Sequence, residues 1–141
     1  MYKRQLLNRI NGMVLSYSIG VYQSGELAGR ALELFFRQYK GLEEKNSISL
    51  LTSQNPIYRT KVYEKVWKQY PAIVPGMTEK GSRGQAAVVS TFFSQLMRRK
   101  GNTVFLDWQE AIDWLTADIL VYNLKRSCKN HTNYKKLEGK E

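Results

Sequence analysis

Apolar positions recur along this chain mostly at intervals of three and four, and that period sets the first reading of its fold. Leu6, Ile10, Met13, Tyr17 and Val21, with Leu7 and Val14 alongside, predict an amphipathic helix from about Tyr2 to Tyr22. Gly12 and Gly20 each weaken such a helix by about 1 kcal/mol relative to alanine. Ser24 reads as the N-cap of a second helix over Gly25–Tyr39, with Glu26 in its first turn. Leu27, Ala28, Ala31, Leu32, Leu34, Phe35, Phe36 and Tyr39 wrap most of its circumference, which suits a helix buried by neighbours or by a partner. Gly41 to Asn46 is a polar break, and Ser47 to Ser53 predicts no more than a short turn of helix.

Asn55-Pro56 pairs an N-cap with a proline at the first helical position, so a third helix is expected up to Tyr70, where Pro71 stops it. Pro71 to Gly84 reads as irregular. Gln85 to Lys100 is the most apolar helix candidate, with Ala86, Val89, Phe93 and Leu96, and again Val88, Phe92 and Leu96, at helical spacing. It ends on Arg98-Arg99-Lys100 and Gly101, a cationic last turn followed by a C-cap glycine. Asp107 and Glu110 make a capping-box variant opening a last helix to about Ser127, with Trp108, Ala111, Ile112, Leu115, Ile119 and Tyr122 on its buried face. No repeat and no alternating pattern longer than a few residues stands out. The fold class expected is all-α, a compact bundle of about five helices. One domain is expected over 1–128, with a polar, frayed tail over 129–141.

Composition narrows the function classes. With 141 residues, 43% of them hydrophobic, the chain is long enough for a core without metal or disulfide support. No apolar run reaches the length of a membrane span, the start Met-Tyr-Lys-Arg-Gln lacks a signal-peptide core, and the single cysteine, Cys128, suits a reducing, cytoplasmic setting. The Asn130-His131-Thr132 acceptor pattern is taken as chance. His131 and Cys128 have no partners at ligand spacing, so no metal, cofactor or nucleophilic triad is expected. Glu110 and Asp113 share a helix face, but acids in a first turn complement the helix dipole more simply than they do acid–base chemistry. Lys80 to Gln85 lacks the Gly-Lys-Ser/Thr ending of a phosphate loop. Gly81-Ser82-Arg83-Gly84 fits the KH clamp without that fold's flanking strands. Backbone amides at that helix start, helped by Arg83, suit a single phosphate. The expectation is a protein that is not an enzyme and has no small-molecule substrate.

The net charge of +10 carries the functional reading, because it is clustered. Residues 1–54 carry +3, residues 55–105 carry +7, and residues 106–141 carry zero. A concentrated excess points to a polyanionic partner, most often nucleic acid. On a wheel at about 100° per residue, Lys65 and Lys68 fall within about 40° of Lys61, opposite an apolar face of Val62, Tyr63, Val66, Trp67 and Tyr70. The candidate phosphate contacts are Arg59, Lys61, Lys65, Lys68, Lys80, Arg83, Arg98, Arg99 and Lys100, with Tyr2, Tyr58 and Tyr134 as candidate stacking residues.

This profile of helices, a cationic centre and no catalytic residues resembles the small subunits of CRISPR effector complexes, including those that type I-D systems make from the large-subunit gene. The resemblance implies a cytoplasmic, non-catalytic subunit of a ribonucleoprotein. Its copies would stack on one another and on larger subunits, holding a target or displaced strand of DNA or RNA through its phosphates. Two other readings stand beside it. One is a sequence-specific helix-turn-helix regulator or mobile-element accessory protein, which needs a short turn and base-reading side chains. The other is a helical adaptor between proteins.

Overall fold

Residues 2–20 form a β-hairpin rather than a helix. In the computed structural model, which describes residues 2–40, 47–78 and 83–138 (side chains of 83–86 and 128–138 excepted), strand β1 is Tyr2–Leu7 and strand β2 is Val14–Gly20. They pair antiparallel, and the Asn8 side chain accepts from the Ile10 amide at 2.8 Å in the connecting turn. The period of two was present in Leu15-Ser16-Tyr17-Ser18-Ile19, but its buried members include serines. Ser16 and Ser18 are buried, and their hydroxyls donate to the Ala31 and Leu27 carbonyls, each at 2.6 Å. A bulge adds to the disguise. Leu6 lies opposite Ser16 and Leu7 opposite Val14, leaving Leu15 as the extra residue. Adjacent apolar pairs, Leu6-Leu7 and Val14-Leu15, therefore serve opposite faces of the hairpin and imitate helical spacing.

Helix α1, Gly25–Gln38, begins where expected, with Ser24 accepting from the Leu27 amide at 3.2 Å. Strand β3, Ile48–Thr52, and strand β4, Ile73–Met77, then pair in parallel. A parallel pair needs a crossover. It is supplied by a 3-10 turn, Pro56–Arg59, and helix α2, Lys61–Trp67. The expected helix from Pro56 to Tyr70 is thus broken at Thr60. That residue is extended (φ −71°, ψ 150°), and its hydroxyl caps α2 by accepting from the Tyr63 amide at 3.3 Å.

Helix α3 is Arg83–Lys100 and helix α4 is Trp108–Glu138. The cap of α4 is as read: the Asp107 carboxylate accepts from the Glu110 amide at 2.8 Å, while Glu110 reaches back to the Leu106 amide at 2.8 Å. The backbone of α4 stays helical beyond Ser127.

The architecture is mixed α and β, not an all-α bundle of five helices. Two apolar cores hold it together. In one, Val14, Phe92, Leu96, Leu115, Ile119 and Tyr122 join the hairpin to α3 and α4, with Tyr17 and Ile19 packed against them. In the other, Ala28, Leu32, Phe35, Phe36, Tyr63 and Ile73 join α1 to the crossover unit, with Leu6 and Leu15 alongside. The hairpin is therefore the shared wall. The profile that resembled CRISPR small subunits was an all-helical one, and the two sheets remove that ground. No helix among the described residues is long and apolar enough to cross a membrane.

Candidate nucleic-acid interface

The described sequence-predicted cations fall on two elements, each packed over its own core. Lys61, Lys65 and Lys68 are exposed on α2 and at its end, with Arg59 exposed just before. Lys68 pairs with Glu64 one turn back, so the stripe is not purely cationic. These residues sit over the α1–crossover core, whereas Arg98, Arg99 and Lys100 end α3 over the other core.

Arg99 is held by the protein itself. Its Nε and Nη2 donate to the two carboxylate oxygens of Asp118 at 2.7 and 2.9 Å, and the guanidinium lies 5.5 Å from the Tyr122 ring centre. The hydrogen-bonded Asp118 carboxylate raises its pKa further. A fork so engaged is a joint between α3 and α4, not a free phosphate ligand. Arg98 is exposed and has no carboxylate partner among the described residues. Lys80 lies outside the described residues, as do the side chains of Arg83, Cys128, His131 and Tyr134.

What the structure brings together is a different group at the C-terminal half of α3. Phe92 and Leu96 are buried, but Val89, Phe93 and Met97, one turn apart, are 48%, 51% and 46% exposed. The expectation that Val89 and Phe93 face inward is corrected here: the hairpin and α4 cover only the Phe92–Leu96 line. The open line faces a cavity of about 620 Å³ that β1, α3 and α4 share. Tyr2, Lys3 and Lys100 border it, together with Phe105 and Trp114.

Cations and rings interleave in this groove. The Lys3 ammonium lies 5.1 and 5.3 Å from the Phe92 and Phe93 ring centres and donates to Gln5 Oε1 at 3.0 Å. The Lys100 ammonium lies 5.8 Å from the Phe105 ring centre, and that ring meets Trp114 at 5.7 Å. Such contacts hold amines against aromatic faces without neutralising their charge. Burial, with a smaller push from the neighbouring Arg4 charge, lowers Lys3 to about 8, so it is mostly protonated at neutral pH. No Asp or Glu among the described residues borders the groove.

Tyr2 was a candidate from sequence, and it is 47% exposed at the groove's edge. Lys3 was missed. Its signal was the Tyr-Lys-Arg start, which alternates across a strand once the hairpin is recognised but scatters around a helix.

Other elements define what the chain can present. The α3–α4 connection ends at Asp107 and Glu110 lies in the first turn of α4, acids that would repel a phosphate backbone at the start of a recognition helix. Among the described residues no three His, Cys, Asp or Glu side chains gather as a metal site would need. Comparisons with protein-family models, curated proteins and solved structures return no match to this chain.

Proposed function

We propose that this protein is a non-catalytic binder of single-stranded nucleic acid, which lies along the groove between β1 and α3. One observation carries the reading. Two amines, Lys3 and Lys100, stand over aromatic rings beside the exposed Tyr2 and Phe93, in a groove with no acid among its described residues, on a chain of net charge +10. Unpaired bases stack on exposed rings at about 1–3 kcal/mol each, and neighbouring cations hold the phosphates without reading sequence. The exposed lysines of α2 supply a second, diffuse attraction that speeds encounter.

The test is fluorescence anisotropy with labelled oligothymidylate and oligouridylate across a salt series, with a matched duplex as comparison. Contacts from Lys3 and Lys100 give a slope of log Kobs against log salt of roughly −1.4, at about 0.7 per phosphate for a single strand. Binding tighter to the duplex, or no salt dependence, contradicts the proposal.

A further inference from the structure

We propose that the cleft between the free edges of β1 and β3 is a docking slot for one extended, acidic peptide segment of a partner protein. Seated there, the segment would complete a continuous sheet in the order β2–β1–peptide–β3–β4. This inference concerns a second cavity, which shares Arg4, Gln5 and Val89 with the nucleic-acid groove, so the amides of β3, which do not line that groove, separate the two readings.

The cleft has a volume of about 240 Å³, and the way it is lined shows what it follows. Four consecutive residues of β1, Arg4 to Leu7, border it, and so do five consecutive residues 49–53 on the β3 side. A cavity on one face of a strand meets every second residue; one that meets them all runs along the strand's edge. β2 occupies the other edge of β1 and β4 the other edge of β3, so each strand keeps one unpaired edge, and both strands border the cleft. The small side chains of Ala28 and Ala31, from α1, also line it and leave it its depth.

The hydrogen-bonding phase of β3 agrees. The Ile48 amide donates to the Ala72 carbonyl at 2.8 Å and the Thr52 carbonyl accepts from the Thr78 amide at 2.8 Å, both towards β4. In a parallel ladder alternate residues point to opposite sides, so the amides and carbonyls of Ser49 and Leu51 point into the cleft. The outer edges of both sheets carry closures that these inner edges lack among the described residues. On β4 the outward position falls to Pro75, which has no amide to offer. On β2 the Asn123 side chain accepts from the Val14 amide at 2.8 Å and donates to its carbonyl at 2.9 Å. Proteins ordinarily protect strand edges in such ways, and an unprotected pair facing one slot is the geometry of strand addition.

Charge selects the occupant. Arg4 and Arg9 line the cleft, and no Asp or Glu among the described residues does. The Arg4 Nε is buried with no hydrogen-bond partner, and its guanidinium lies 5.8 Å from the Tyr58 ring centre. A buried donor of that kind calls for a carboxylate. An extended segment with one Asp or Glu opposite Arg4 satisfies the guanidinium and both backbone edges together.

The test selects a displayed library of random linear peptides against the full chain, then measures amide hydrogen exchange with the enriched peptide bound. We expect enriched sequences with an acidic residue among β-branched ones, binding at least about tenfold more weakly to Arg4→Gln and to Ser49→Pro. Ser49→Pro removes one cleft-facing amide at an edge position where proline is tolerated. In the wild type, bound peptide slows exchange at Ser49 and Leu51, a readout independent of how well either variant folds. The proposal is overturned if no acidic peptide is enriched, or if enriched peptides protect amides elsewhere. It is equally overturned if oligothymidylate, or self-association at high concentration, slows the same two amides.

Discussion

Alanine at Gly25 probes the tightest seam in the fold, where the start of α1 meets the cap of α2. The added methyl would collide with the Thr60 hydroxyl and stand 3.2 Å from the Ile57 carbonyl oxygen. The hydroxyl has nowhere free to turn, because it donates to that same carbonyl at 2.8 Å and accepts from the Tyr63 amide at 3.3 Å. Losing the cap costs about 1 kcal/mol. Pushing the backbone apart costs about 1–3 kcal/mol more. Alanine returns roughly 0.5 kcal/mol through a less flexible unfolded chain. The net expectation is a loss of about 2–3 kcal/mol, a large share of the roughly 5–15 kcal/mol that holds a domain of this size. Gly76→Ala is the control: its methyl would sit 3.7 Å from Leu51 Cδ1, an ordinary contact, so stability should move by under about 0.5 kcal/mol. Urea denaturation followed by circular dichroism reads both. A Gly25→Ala protein within about 0.5 kcal/mol of wild type would refute the packing described for α1 and α2.

Three further outcomes follow from named contacts. Ser18→Val loses the hydroxyl bond to the Leu27 carbonyl and adds bulk beneath α1, and should cost about 1–3 kcal/mol by the same denaturation assay, with Ser18→Ala costing less. Asp118→Asn breaks the bidentate bond to Arg99 and should cost about 1–2 kcal/mol, yet leave oligonucleotide affinity unchanged or tighter because a cation is released. Between about pH 8 and 10.5 the unfolded chain keeps a proton on Lys3 that the folded chain has lost. Wild-type stability relative to Lys3→Met should therefore rise with pH across that window, and a flat difference in urea midpoints would contradict the burial of Lys3.

Caps and apolar helix faces were legible in the sequence, because their signals are local. Ser24, Asn55 and Asp107 each accept an amide as read, and the buried line Ala111, Leu115, Ile119 and Tyr122 of α4 follows the helical period. The strands were not legible, for physical reasons. Ser16 and Ser18 put polar atoms on a buried face, where helix carbonyls accept their protons, so polarity no longer marked solvent. β3 is five residues long, and its pairing with β4 depends on residues some twenty-five positions away, beyond the reach of any local period. The candidate site suffered from the same error. Counting charge by segment drew attention to α2 and the end of α3, while Lys3 meets Phe92 and Phe93 only because the hairpin lies against α3. Arg99 looked free in sequence, and nothing there announced Asp118 as its partner.

The most direct measurement is photo-crosslinking of the full chain to an oligouridylate carrying 5-iodouridine, with the modified residues mapped by mass spectrometry. A strand in the groove between β1 and α3 places its adducts on Tyr2 and Phe93, the exposed rings beside Lys3 and Lys100. Adducts confined to Tyr58 and Trp67 on the crossover unit, or none under conditions where the oligonucleotide is bound, would contradict that placement.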